Sequence, residues 1–359
     1  MAEESISYQG LVCPVPLSHN DRIVLGHGSG GRLSHDLFNK IFLPPFNNPI
    51  LHAANDAGLI QLSDQEGISF PRLAFSTDAH VVSPLFFPGG DIGKLSVCGT
   101  VNDVAMIGAT PLFISAGFIL EEGLEISVLE KVVQSMQNAA QEAAVLVVAG
   151  DTKVVQRGKA DGLYITTAGI GIIPPGINIG GEKAQPDDIV ILSGTIGDHG
   201  IAVLQARDEL GFQTDLKSDI APLNHLIQNI LLSSQHIHVL RDPTRGGLAT
   251  SLNEIAQQSK ICIELEESKI PIKPEVSAAC EMLGFDPLYV ANEGKLIAIV
   301  APEDAEKILD VMHSTRYGEE ASIIGKVKAV PQSRVLMRTV IGSTRVVDML
   351  SGELLPRIC

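Results

Sequence analysis

Four acidic residues stand beside glycine or other small residues, and all four fall in the first half of the chain. They sit in Asn55-Asp56, Thr77-Asp78-Ala79-His80, Asn102-Asp103 and Gly150-Asp151-Thr152-Lys153, each after an apolar run. Carboxylates delivered from separate loops suit Mg²⁺, a hard cation that takes oxygen ligands and shares them with substrate phosphates. Taken singly, each aspartate is more often a turn former or a helix cap. Their recurrence points to Asp56, Asp78, Asp103 and Asp151 as a metal and nucleotide set, with generic acidic loops as the rival reading.

Glycine-rich turns add to that set. His27-Gly28-Ser29-Gly30-Gly31-Arg32, Pro88-Gly89-Gly90 and Thr244-Arg245-Gly246-Gly247 each precede an expected helix. A helix start with free N–H groups favours an anion. None is a P-loop, because G-x-x-x-x-G-K-[ST] is absent, and packing glycines would look the same. Gly89 and Gly90, with Gly150 and Thr152 around Asp151, complete the candidate nucleotide-binding residues.

Three further side chains could act on a reacting group. Lys153 could meet charge developing on a phosphate or a leaving group; a solvated surface lysine is the ordinary alternative. Glu293, in Ala291-Asn292-Glu293-Gly294, is either a general base or a turn residue, and His80 is the next candidate base. The sequence ends on Cys359, a thiol on a ten-residue segment that could reach roughly 33–36 Å when extended. It is either a carrier arm or an incidental cysteine. Cys98, Cys262 and Cys280 lie inside apolar patterns and read as small buried hydrophobes.

These residues need elements to position them. Pro14 and Pro16 make residues 1–20 an extended arm. Strand character is expected over 50–62, 71–77, 145–149 (as a buried strand), 163–173, 189–193, 261–265, 295–300 and 321–328. Helices are expected over 91–108, 125–144, 198–210, 219–234, 245–258, 274–283 and 303–315. Pro174-Pro175-Gly176 and the polar stretch 181–188 mark a boundary. The division is an arm (1–20), a first domain (21–175), a second domain (176–349) and a loose tail (350–359), each domain mixing strands and helices in α/β layers.

Composition narrows the function. The chain has 359 residues, 45% hydrophobic and 19% charged, with a net charge of −16. That acidity disfavours nucleic acid and anionic membranes as partners, and 4% aromatics without tryptophan leaves little to stack on bases. No apolar run approaches the roughly 20 residues that span a bilayer. The acidic start is unlike a signal peptide, and five scattered cysteines without C-x-x-C fit free thiols in a reducing cytosol.

Six stretches together resemble the HypE family of hydrogenase maturation proteins. They are GHGSGGR (26–32), the segment from Ser76 to Pro111, VVAGDTKVV (147–155), DPTRGGLA (242–249), ANEGKL (291–296) and the terminal PRIC (356–359). That family belongs with aminoimidazole ribonucleotide synthetase and selenophosphate synthetase. Asn55-Asp56 stands where many relatives carry two acidic residues. The resemblance implies a two-domain PurM-like fold of α+β type, dimerising through its N-terminal sheet with ATP near the interface.

It also implies a reaction. A carbamoyl group placed on Cys359 by the carbamoyltransferase HypF is dehydrated with ATP to a thiocyanate. The cyanide then passes to iron on a HypC–HypD complex for nickel–iron hydrogenase. Asp56, Asp78, Asp103 and Asp151 match the family's Mg²⁺-nucleotide positions, with Glu293 as base and Lys153 as electrostatic or proton-transfer partner. A selenophosphate synthetase or small-molecule kinase on the same fold is the second enzyme reading. The glycine turn 26–32 lacks the reactive cysteine the former would carry. A non-catalytic carrier is the third.

Overall fold

The computed structural model describes residues 23–46, 48–62, 70–207, 214–352, 355 and 357–359. The arm expected over 1–20, with Cys13, lies outside them. In chain order the first half contains α1 (Arg32–Leu37), α2 (Pro49–His52), β1 (Gly58–Gln61), β2 (Arg72–His80), β3 (Phe86–Phe87), β4 (Gly90–Asp91), α3 (Ile92–Met106), β5 (Thr110–Glu121), α4 (Ile126–Glu142), β6 (Leu146–Val155) and β7 (Leu163–Ile173). The second half contains β8 (Ile189–Leu192), α5 (Asp198–Ala206), α6 (Asn224–Ser233), β9 (Ile237–Arg241), α7 (Gly247–Ser259), β10 (Cys262–Glu266), α8 (Pro274–Leu283), β11 (Ile297–Val300), α9 (Ala305–His313), β12 (Ser322–Lys328), β13 (Arg334–Arg338) and β14 (Thr344–Val346).

Each half is built on its own mixed sheet, as expected for two α/β layers. The first has the order β1-β2-β7-β5-β6, in which only β5 and β6 run parallel. β7 alternates buried and outward residues along LYITTAGIGII, the signature of a strand covered on one face. The cover is α3, which buries thirteen of its fifteen residues. A Cβ at Gly169 would come within 2.6 Å of Thr100 Cγ2, so the glycine lets α3 lie close on the sheet.

The second sheet has the order β14-β13-β10-β12-β8-β11-β9. Its inner strand β11, next to the edge strand β9, is buried at all four positions, because helices cover both faces. Leu248, Leu252 and Ile255 of α7 pack on one side, and Leu226, Ile230, Ile308 and Met312 of α6 and α9 on the other. A strand covered on both faces reads as a continuous apolar run rather than an alternation. The halves are joined through Asn102 of α3, whose side chain donates to the Ala221 carbonyl at 3.0 Å and accepts from the Leu223 N–H at 2.8 Å.

Several elements differ from the sequence expectation. The start of the strand expected over 50–62 is helix through His52, since Asn48 accepts from the N–H groups of Ile50 and Leu51 at 3.0 Å and Pro49 starts the turn. The long strand β5 and the short strand β9 were not expected. Pro111 and Gly117 mask the period in β5, where a register shift between Pro111 and Phe113 absorbs the missing N–H. Residues 145–149 were expected as a buried strand. Val145 is buried ahead of the strand, while 146–149 begin a ten-residue edge strand, β6, exposed along nearly its whole length.

Candidate active site

Between the halves lies a cleft of about 230 Å³, and its walls come from both. Asp56 arrives from the turn before β1, Asp78 and His80 from the end of β2, and Asp103 from the last turn of α3. From the second half come Arg241 and Asp242 at the end of β9, Arg245 at the start of α7, Glu254 from its middle, and Glu293 from the loop before β11. α7 can begin this close to its neighbours because Gly247 adopts φ +62°. A Cβ there would stand 2.5 Å from the Leu288 carbonyl oxygen.

The carboxylates crowd one another. Burial, then the charges of Asp78 and Asp242, holds Asp103 well above the usual carboxylate range. Burial, then Asp56 and Asp78, does the same to Asp242. Asp56 is pushed up to about 6 by burial, against the pull of Arg241, whose Nη1 lies 2.8 Å from the Asp56 carboxylate. Asp103 accepts from Ser76 Oγ at 2.7 Å and Asp78 from Thr100 Oγ1 at 3.3 Å, while Asp242 Oδ2 is buried without a partner.

The folded chain therefore keeps protons that an unfolded chain would have lost near pH 3.8. Its stability should fall as pH rises above that value, with Asp56's share lost by about pH 6. Asp242→Asn is expected to raise the melting temperature of the metal-free protein, on the scale of ~2–4 °C per kcal/mol, and to flatten its pH dependence. A lowered melting temperature in calorimetry at pH 7.5 would contradict this account of the cluster.

Cys359 closes one end of the cleft and also borders an adjoining cavity of about 220 Å³. The tail was expected to be loose, yet its last residues are packed between the halves. Val81 N–H donates to the Cys359 carbonyl at 3.0 Å and Ser83 N–H to the Arg357 carbonyl at 3.2 Å. Arg207 Nη2 donates to that same Arg357 carbonyl at 2.7 Å, and Arg357 pairs with Asp161. Ile358 is buried in a core cluster to which both halves contribute. Burial raises the Cys359 thiol, and the facing Glu293 carboxyl adds to the effect while Arg245 opposes it.

Glu293 is held by its backbone. Its N–H donates to Asp219 Oδ1 at 3.1 Å and that of Gly294 to Asp219 Oδ2 at 3.3 Å. Asn292 fixes the same loop by donating to the Pro243 carbonyl at 2.8 Å and accepting from the Gly197 N–H at 2.7 Å. The side chain is buried, and Oε1 has no partner. Burial first, then Asp242 and Asp219, raises its carboxyl well above the usual range.

Some expected residues are elsewhere. Asp151 and Lys153 lie on β6, paired with each other at 2.9 Å and each about seven-tenths exposed, and neither lines the cleft. Gly150 and Thr152 share that strand. Gly89 and Gly90 are packing residues here: a Cβ at Gly89 would be 2.7 Å from the Ser218 backbone. The first turn of α3 is already capped by Asp91, which accepts from Gly93 and Lys94 N–H. His80 does line the cleft, but it is buried against Thr167 Oγ1 at 3.2 Å and burial lowers its pKa. Arg241, Asp242 and Glu254 were missed, although 244–247 was singled out as a glycine-rich turn and 242–249 as a stretch of family resemblance.

Comparison with known proteins decides the family. Residues 54–173 match the AIR synthase related protein N-terminal domain, and residues 185–338 match its C-terminal domain. The carbamoyl dehydratase HypE of Cupriavidus necator is 53% identical over 341 residues, 94% of this chain and 95% of that protein. This chain belongs to the HypE family. A solved HypE–HypF complex superposes on it with a TM-score of 0.82 at 48% identity, covering 88% of this chain and 99% of that one. HypE solved in complex with ATP gives a TM-score of 0.78 at 49% identity, over 94% of this chain and all of that one. The two-sheet architecture is thus the family's two-domain PurM-like fold. No helix among the described residues is long and apolar enough to cross a membrane.

Proposed function

We propose that this chain uses ATP to dehydrate an S-carbamoyl group on its own Cys359, giving a thiocyanate. The observation that carries the reading is the placement of Cys359, docked against the buried Glu293 at one end of a cleft lined with carboxylates. A relative named carbamoyl dehydratase and a relative solved with ATP support it.

A carbamoyl oxygen is a poor leaving group. Phosphorylation by ATP releases ADP and turns that oxygen into part of a phosphate. Loss of both nitrogen protons then lets the carbon–oxygen bond break, phosphate leave and the nitrile form. In this reading Glu293 takes a nitrogen proton, supported by the hydrogen bond between its carboxyl and the Cys359 thiol. Arg245, at the cleft mouth, is a cation available to phosphate oxygens.

The cleft fits Mg²⁺ chemically. Asp56, Asp78, Asp103 and Asp242 are hard oxygen donors whose mutual repulsion a cation would relieve. Among the described residues no three such groups stand close enough to hold a metal by themselves. Mg²⁺ usually takes one or two carboxylates and completes its shell with water and phosphate. When bound it would neutralise charge on the transferred phosphate.

Incubation with HypF, carbamoyl phosphate and ATP should first add a carbamoyl group and then remove one water, followed by intact mass. ATP consumption without that loss of water would sink the reading. The cytosolic HypF carbamoyltransferase is proposed as the donor partner, and an iron-bearing HypC–HypD complex as acceptor.

Asp151 and Lys153 fit this reading through a homodimer. β6 leaves Leu146, Val147, Val148 and Val154 between 47% and 68% exposed, beside an apolar groove of about 750 Å³ against α4. A bare edge of this kind invites another strand. Pairing there would carry the two charged side chains to the partner's cleft. Asp151→Asn and Cys359→Ser should each be inactive as homodimers, whereas mixed dimers should regain up to about half of wild-type activity, since the intact Cys359 then meets the other chain's Asp151. No recovery in mixed dimers would assign Asp151 to its own chain or to no site.

A further inference from the structure

His199 is wholly buried in the first turn of α5 and touches the tail directly. Its Nε2 lies 2.7 Å from the Ile358 carbonyl oxygen. A carbonyl only accepts, so Nε2 carries the proton. The other ring nitrogen, Nδ1, lies 2.9 Å from Ser218 Oγ. Ser218 is itself fixed: its N–H donates to the Pro88 carbonyl at 2.8 Å, and its hydroxyl accepts from Ile220 N–H at 3.2 Å. Phe87 packs edge-on against the ring at 5.5 Å and 85°. With the tail docked, the imidazole is thus held in one tautomer and, by Ser218 and Phe87, in one orientation, and burial lowers its pKa, which favours the neutral ring.

The proposed reaction asks two opposite things of the tail. Cys359 must be accessible to receive its carbamoyl group, and it must be buried beside Glu293 for dehydration. Ile358 buries its side chain in a core cluster to which both halves contribute, Leu95 and Ile114 from the first and Val203, Ile220 and Ala291 from the second. Its carbonyl goes with it, and a buried carbonyl without a donor costs enough to keep the tail out. A donor already in place removes that cost while leaving docking reversible. We propose that His199 is the catch of the tail, a positioning residue that sets the docked fraction of Cys359 through the Ile358 carbonyl. The geometry of docking carries this inference; its consequence for turnover rests on the dehydration reading.

The test separates the two ring nitrogens. An asparagine places its amide where Nδ1 lies and keeps the Ser218 contact; a glutamine reaches the Nε2 position and the Ile358 carbonyl. Alkylation of the full chain by iodoacetamide, mapped by peptide mass spectrometry, reads the exposure of Cys359. The buried Cys98, Cys262 and Cys280 report on the fold. His199→Asn is expected to speed Cys359 alkylation roughly 5- to 150-fold, the range set by one unsatisfied buried carbonyl. His199→Gln should stay within about threefold of wild type by restoring that hydrogen bond. The Asn variant should accept a carbamoyl group at least as fast as wild type and dehydrate it more slowly, an opposition that a general loss of stability would not produce. Equal alkylation in wild type and both variants would overturn the catch. Equal exposure in both variants, or reaction of Cys98 and Cys280 alongside Cys359, would assign His199 to packing alone and overturn it too. The expected alkylation pattern with no dehydration in any protein would leave the catch standing and remove the reaction reading.

Discussion

Glu293→Gln is expected to accept a carbamoyl group on Cys359 and bind ATP as wild type does, yet to form thiocyanate roughly 10²–10⁴ times more slowly, the usual contribution of a positioned base. The substitution keeps the shape of the side chain. The loop is held through backbone N–H groups and through Asn292, none of which it disturbs. What it removes is a carboxyl that burial and neighbouring charges hold well above the ordinary range, which makes it a stronger base once ionised. A carbamoyl nitrogen offers two N–H donors, and such hydrogen bonds favour the ionised form. The wild-type rate should therefore rise with pH until Glu293 has lost its proton, and that rise should be absent in the glutamine variant. Single-turnover conversion of carbamoylated protein, followed by loss of one water, measures both effects. An unchanged rate would make Glu293 a turn residue and pass the role to His80, a buried group beside Asp78 that also lines the cleft.

The second large effect is at the sulfur. Cys359→Ser should abolish formation of thiocyanate while leaving folding and ATP binding intact. The backbone and ion-pair bonds that dock the tail use the carbonyls of Arg357, Ile358 and Cys359 and the Arg357 guanidinium, and a serine hydroxyl can keep the thiol's hydrogen bond with Glu293. Serine changes one atom in that arrangement, so the melting temperature should move little. Peptide mapping after reaction with HypF and carbamoyl phosphate is the decisive measurement. A carbamoyl adduct persisting in the variant, or appearing on Cys13, would overturn the assignment.

Much of this was legible in the residues, for reasons that differ from site to site. Asp56, Asp78 and Asp103 announced themselves because each follows an apolar run that became β1's approach, β2 or α3, and elements of that kind end at a cleft. Glu293 could be named from Ala291-Asn292-Glu293-Gly294, but base and turn residue are told apart by burial and by the bare Oε1, and sequence carries neither. Arg241 and Asp242 were hidden because β9 is only five residues long and runs straight into a proline-glycine turn. Asp151 and Lys153 read as site residues, yet one chain leaves them on an open edge. Linear order cannot say whether a strand faces its own cleft or a neighbour's. The tail failed for another reason: Gly352 and Pro356 looked like a loose end, whereas its order comes from contacts with Val81, His199 and Arg207, each more than 140 residues away.

The docking of Cys359 also changes what kind of kinetics the protein can have. A reacting group tied to the chain and laid beside Glu293 meets its base at an effective molarity, not at a solution concentration; for well-oriented intramolecular steps that figure reaches about 10⁵–10⁸ M. For the carbamoyl group there is then no KM to measure, and dilution of the protein should leave its dehydration rate untouched. Free thiocarbamates should compete poorly for the cleft, since they would have to supply by binding what the tail supplies by connection. The product stays covalently attached as well. The protein therefore behaves as a stoichiometric reagent that needs an external acceptor to be reset, and steady-state turnover would report the rate of unloading and not the chemistry in the cleft.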